Sequence, residues 1–257
     1  MFKFRNTLRK IYLDIFSIFS VPKNGVHILN GHFIAQYSEK KEIFFDLLNA
    51  LSQSVDFINI QDASDLILTK KIPLKQKLVA FTFDDGFEEC FTKIKPSLDY
   101  FGIKAAFFIN PNFINGNDMY IENFLNNVVF LNGFKPPMGW DQIIELKNEG
   151  HIIGAHTMDH LRLDIQDKEK LEYQIKQCKF YIENKLGNKC EYFAYPYGQL
   201  QDISDEAIKM ADDNFKYNFT QSNYRKYFSF DGKFINRRHF EGIWPVQHVK
   251  YFLKTKS

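Results

Sequence analysis

The stretch Leu78-Val79-Ala80-Phe81-Thr82-Phe83-Asp84-Asp85-Gly86 decides the fold. Its apolar, partly β-branched and aromatic run reads as a strand. Two carboxylates follow at once, and Gly86 permits a sharp exit into the next helix. Acids at the C-terminal end of a parallel strand lie on the functional rim of a barrel. Two like charges side by side cost energy unless a cation or a metal ion compensates them. Taken alone, the turn is equally explained as a cap on the following helix.

Similar runs recur on both sides, at 26–29, 57–60, 105–109, 152–155, 192–195, 217–219 and 234–235. Helical stretches separate most of them. Residues 39–52 place Ile43, Phe44, Leu47, Leu48 and Leu51 on one face, with Ser38 as a candidate N-cap. Residues 141–148 stop at Gly150, residues 168–186 stop at Gly187, and residues 204–212 form another helix. Alternating β and α predicts a parallel sheet with helices outside it. Eight candidate strands in 257 residues favour a single barrel over an open sheet. Residues 112–137 break the rhythm and read as an inserted loop with a short helix around 121–131.

A second cluster, His156-Thr157-Met158-Asp159-His160, follows the strand 152–155. Histidines at i and i+4 can meet one metal ion, and neutral imidazole suits zinc and related ions. With Asp84 and Asp85 on another strand end, this makes a two-histidine, one-carboxylate site. One Asp binds the metal and the other remains as a base. A third cluster, Phe193-Ala194-Tyr195-Pro196-Tyr197-Gly198, is again a strand end and can offer a backbone N–H to an oxyanion.

Thr82-Phe83-Asp84-Asp85-Gly86, His156-Thr157-x-x-His160 and Tyr195-Pro196-Tyr197-Gly198, in that order, resemble the polysaccharide deacetylase family (NodB homology, carbohydrate esterase family 4). The resemblance runs from about residue 26 to 240. It implies a single-domain, distorted (β/α)7 barrel, placed over residues 22–257; the basic amphipathic helix over 1–21 is read from its own residues. It also implies that Asp85, His156 and His160 hold one divalent metal ion, with zinc first and cobalt, nickel, iron or manganese as alternatives. Asp84 then resembles the general base, and the Tyr197 backbone N–H the oxyanion donor. The commonest form of the third motif has an Arg where this chain has Ala194. The poly-N-acetylglucosamine deacetylase branch lacks that Arg and takes its acid histidine from an N-terminal strand. His32, at the end of the first strand, is similar to that acid. Arg237 and Arg238 follow the strand 234–235, and one of them is expected to pair with Asp84.

The expected activity is hydrolysis of the acetamide of an amino sugar, in a bacterial surface glycan or its lipid-linked precursor. The alternatives are a degenerate glycan-binding member without catalysis, and a deformylase on the same metal site. Thirty-three Lys and Arg against 31 Asp and Glu exclude a basic nucleic-acid sheath. Cys90, Cys178 and Cys190 share no close spacing and read as buried apolar side chains, which suits a reducing compartment. Lys3, Arg5, Arg9 and Lys10 alternate with Phe4, Leu8, Ile11, Ile15 and Phe19 at helical spacing. Asp14 interrupts the apolar run and no small-residue cleavage site precedes Pro22. The segment therefore reads as a helix docked on the domain or lying in a membrane interface, with an export signal as the third reading. The expectation is a cytoplasmic protein that can sit peripherally on the inner membrane face, with an exported form as the alternative.

Overall fold

The computed structural model describes residues 10–34, 42–131 and 133–256. Among them, ten short strands form one sheet. They are β1 (Gly25–Gly31), β2 (Asp56–Phe57), β3 (Lys77–Phe83), β4 (Ala106–Ile109) and β5 (Ile152–Ala155). Then come β6 (Tyr192–Ala194), β7 (Tyr217–Thr220), β8 (Phe228–Ser229), β9 (Phe234–Asn236) and β10 (Arg238–His239). The order is β10-β1-β3-β4-β5-β6-β7-β9-β8, with β2 beside β3. Only the β8–β9 pairing is antiparallel.

β9 and β10 are separated by Arg237 alone. One run of chain therefore pairs with β7, Thr220 opposite Asn236, and then with β1, Leu29 opposite Arg238. That run is the seventh stave. It closes the sheet into the distorted (β/α)7 barrel, with the C-terminal strand ends gathered on one rim.

Side chains alternate across each stave. Val26, Ile28, Ala80, Phe108, Phe219 and Ile235 share one buried cluster, and the helix Ile60–Leu68 adds Ile60, Ala63 and Ile67 to it. This helix plugs the base of the barrel. The alternate residues, such as Leu29, Phe81, Phe107 and Phe193, join the larger cluster formed with the outer helices. Both faces of every stave are thus apolar, which is why the strands read as unbroken runs rather than as alternation.

The run 57–60 is not a full strand. It pairs with β3 only through Asp56–Phe57, and Ile60 already opens the plug helix. A four-residue apolar run does not distinguish strand from helix. The expected helix around 121–131 is present as one continuous run over 118–128, its stretches Asp118–Asn123 and Phe124–Val128 joined without a break. They enclose a satellite core of Phe87, Phe113, Ile121, Phe124, Leu125 and Leu131. The helix Glu42–Ser52 buries Phe44, Leu47, Leu48 and Leu51. Its expected cap Ser38 lies outside the described residues, as do Phe4 and Leu8. A C-terminal helix, Val246–Leu253, went unread in the sequence.

Residues 10–16 are helical and dock on that C-terminal helix. Leu13 is buried, the Asp14 carboxylate bonds His248 Nε2 at 2.8 Å, and Tyr12 Oη meets Tyr251 Oη at 3.1 Å. Ile11, Ile15, Phe16 and Ile18 face outward, and Phe19 is 92% exposed. No helix among the described residues is long and apolar enough to cross a membrane.

Two histidines near the base are structural. His27 Nε2–H donates to Lys23 O at 2.8 Å, and His151 Nδ1 accepts from Ala105 N–H at 3.2 Å. Burial lowers both from 6.5 to about 4. Between those values the unfolded chain binds more protons than the folded one. Stability fully present above pH 6.5 is therefore lost as pH falls toward 4, at roughly 1.4 kcal/mol per pH unit per histidine. Thermal melts should show the midpoint falling between pH 7 and 5, with a shallower slope in His27→Gln. Equal slopes in the two proteins would contradict this account.

Candidate active site

Four strand ends supply the site. Asp84 and Asp85 leave β3, His156 leaves β5, Tyr197 follows β6, and His32 follows β1. Asp85 Oδ1 lies 3.6 Å from His156 Nε2 and 3.4 Å from His160 Nε2. These atoms lie within 4.8 Å of one another, and all three residues are buried. His156 Nδ1–H donates to Ala194 O at 2.7 Å, which leaves the Nε2 lone pair facing Asp85. Asp85 Oδ1 is buried without a hydrogen-bond partner. Burial, and then the charge of Asp84, hold the Asp85 carboxyl well above its ordinary range. Burial lowers both His156 and His160, so both imidazoles are neutral. An orphaned acid facing the Nε2 atoms of two neutral imidazoles suits a divalent cation, whose charge would return Asp85 to the carboxylate.

Asp84 is compensated differently. Arg237 Nη1 meets Asp84 Oδ1 at 2.7 Å and Nη2 meets Oδ2 at 2.9 Å. The pair is bidentate and both residues are buried. Asn30 Nδ2 donates to Asp84 Oδ2 at 2.9 Å, and Asn30 Oδ1 accepts from Arg237 Nη1 at 2.8 Å. Thr82 Oγ1 donates to Asn30 Oδ1 at 2.7 Å. Burial alone would raise Asp84; the Arg237 guanidinium outweighs it and holds the carboxyl well below its usual range. Arg237 also stacks over Phe108, 5.1 Å from the ring centroid. Arg238 does not join this network. It lies on the outer face, 3.6 Å from the Phe252 ring centroid and 4.3 Å from that of Tyr224.

His32 lines the same pocket, a cavity of about 390 Å³, with Asp84, Asp85, His156 and His160. Burial lowers its imidazolium to about 3, against the pull of Asp84. The first helical turn beyond β3 fixes its backbone. Cys90 Sγ donates to His32 O at 3.2 Å, and Ile34 N–H donates to Glu89 Oε2 at 3.3 Å. Glu89 in turn pairs with Lys135 at 2.8 Å.

Asp85, Thr157, His160 and Tyr197 all have positive φ, at 73°, 65°, 54° and 62°. Each such residue costs of order 1–3 kcal/mol. Four of them around one pocket mark it as a place where geometry is bought at the expense of stability. Asn110, at the end of β4, holds the histidine loop by donating to His156 O and Thr157 O. Sequence reasoning missed Asn30, Asn110 and the pocket residue Gln221. Their only signal was a polar side chain at a strand end.

A second cluster, Asp99, Glu149 and His151, lies at the base. His151 Nδ1 is occupied by the Ala105 N–H, so neutral imidazole carries its proton on Nε2 and has no lone pair there. Lys95 pairs with both acids, at 2.8 Å and 2.7 Å. These residues do not fit a metal ion.

Residues 71–214 match the family model for polysaccharide deacetylases. The Bacillus subtilis (strain 168) protein YxkH is 25% identical over 149 residues, 58% of this chain and 46% of that protein. A peptidoglycan-N-acetylglucosamine deacetylase of Bacillus cereus is 28% identical over 145 residues, 56% of this chain and 57% of that protein. The chain thus spans about half the length of these curated relatives. IcaB from Ammonifex degensii shares the fold, with a TM-score of 0.71 and 24% identity over 91% of this chain and 99% of that one. The family match covers all three strand-end motifs, and the chain belongs to the polysaccharide deacetylase family.

Proposed function

We propose that the protein is a metal-dependent N-deacetylase of an N-acetylated amino sugar, in a bacterial surface glycan or a lipid-linked precursor. The observation that carries this reading is the orphaned Asp85 Oδ1 facing the Nε2 atoms of His156 and His160, beside a separately neutralised Asp84. Asp85, His156 and His160 would hold one divalent ion, and their N₂O donor set suits zinc first. When bound, the ion supplies Lewis acidity to the acyl carbonyl and to water.

The remaining steps belong to the chain. Asp84 stays ionised, and its Oδ2, 4.0 Å from His156 Nε2, takes a proton from the attacking water. The Tyr197 backbone N–H donates to the oxyanion as the carbonyl carbon becomes tetrahedral. The C–N bond then breaks, and His32 protonates the departing amine nitrogen. His32 rests neutral, so the proton it delivers is the one Asp84 took from the water, handed on before the C–N bond breaks and leaving Asp84 ionised again.

The exposed stripe of Ile11, Ile15 and Phe19, with the sequence cations Lys3, Arg5, Arg9 and Lys10, supports a peripheral contact with an anionic bilayer, which we place at the cytoplasmic face. Cys90, Cys178 and Cys190 are buried free thiols, in keeping with that side.

Metal counting after stripping and reloading with Zn²⁺ should give one ion per chain, and none in His160→Ala. Absence of specific metal in the parent would favour a glycan-binding member without catalysis. Loaded protein should release acetate from N-acetylglucosamine oligomers; release of formate alone, from formylated sugars, would make it a deformylase. Arg237→Ala should lower turnover by roughly 100-fold or more, because Asp84 loses its buried counter-charge. Arg238→Ala should change turnover less than about twofold. Deleting residues 1–21 should abolish sedimentation with anionic liposomes while leaving metal binding intact. Equal sedimentation of both forms would remove the membrane contact.

A further inference from the structure

The catalytic groups line one side of the pocket, and an apolar wall from the insertion between β4 and β5 faces them. Val128, Val129, Phe130 and Leu131 form that wall, with Phe33 beside it. Val128 O accepts a hydrogen bond from Tyr197 Oη at 3.3 Å, so the wall is tied to the turn that carries the oxyanion donor.

Phe130 is the anomaly in this wall. It is 76% exposed, and its φ of 53° is one that Gly or Asn adopts more cheaply than Phe. Its neighbours are anchored. Val129 N–H donates to Phe124 O at 3.0 Å, and Leu131 N–H donates to Leu125 O at 2.7 Å. Leu131 is buried in the satellite core, and Phe124 stacks on Phe113 with centroids 4.0 Å apart. The ring is therefore held out at the pocket mouth by backbone fixed on both sides. An exposed aromatic ring and a strained backbone at one residue are two costs that packing does not offset.

We propose that Phe130 is a specificity-determining platform for the glycan. It stacks against the C–H face of the sugar next to the one whose acetamide enters the pocket. The reacting groups are buried in the depth, so a ring at the mouth meets the part of the ligand that remains outside. A pyranose presents an apolar face there, and a rigid aromatic side chain covers it at little entropic cost. This rests on the deacetylase reading and extends it: the enzyme acts on oligomers in preference to single sugars.

The test has a kinetic and a binding arm. Turnover of N-acetylglucosamine tetramer and monomer is compared in the parent, Phe130→Ala and Phe130→Trp. The parent should favour the tetramer in kcat/KM. Phe130→Ala should shrink that preference by roughly tenfold, chiefly through KM, and Phe130→Trp should restore it. In the binding arm, the fluorescence of Phe130→Trp should shift with tetramer beyond any change in the parent, whose Trp140 and Trp244 set the background. An undiminished tetramer preference in Phe130→Ala would overturn the platform. So would a Phe130→Trp response to anionic phospholipid vesicles and not to tetramer. If the loaded parent releases no acetate, the deacetylase reading fails, and the fluorescence arm alone decides whether Phe130 binds sugar.

Discussion

Two adjacent carboxylates buried at the end of β3 are the constraint around which the molecule is arranged. Neither can remain charged in that position without a partner, and one cation cannot serve both in the same way. Asp84 receives a guanidinium in bidentate contact. Asp85 receives two neutral imidazoles and no hydrogen bond at Oδ1, which leaves a cation-shaped deficit. The division separates a group that stays ionised from a group that waits for a ligand, and this asymmetry lets neighbouring identical side chains have different roles.

The same constraint is tied to closure of the barrel. Arg237 sits where the seventh stave changes partners, between β9 and β10. Its backbone N–H donates to Thr220 O on β7 at 2.8 Å, while its side chain crosses the interior to the end of β3. Below it lie Phe108 and Phe219, and beside it Asn30 and Thr82. The interior thus changes from an apolar lower layer to a polar upper one along each stave, and Arg237 marks the boundary. Removing its side chain would strip Asp84 of its charge and weaken the seam that completes the ring.

Much of this was legible in the sequence, for identifiable reasons. The strand ends carrying Asp84-Asp85, His156 and Tyr197 were readable because short apolar runs stop abruptly at residues whose chemistry is conspicuous. The counter-ion of Asp84 was readable only as a pair, Arg237 or Arg238. Alternation from the inward Ile235 places Arg237 inside and Arg238 outside, but the phase cannot be set from a run that is apolar on both faces. The plug helix was hidden for the same reason, since its first residue, Ile60, continues the apolar run of β2. Asn30 and Asn110 were missed because an amide at a strand end is ordinary until the carboxylate or carbonyl it serves is known.

Ala194 shows that it is the charge balance, more than any one position, that must be kept. In the commonest form of the third motif an arginine stands there and pairs with the base. Here Ala194 is buried and small, and its carbonyl still orients His156. The guanidinium arrives instead from the opposite flank of β1, on the closing stave. A buried carboxylate does not depend on the strand from which its cation comes; it depends on two N–H groups in the plane of its oxygens and on the absence of water. A small residue at 194 lets the third strand end pack tightly against β5 and β7, through Ala155 opposite Phe193 and Ala194 opposite Phe219. Moving the arginine to 237 therefore changes which seam of the barrel carries the buried guanidinium, while Asp84 keeps a bidentate partner in the plane of its oxygens.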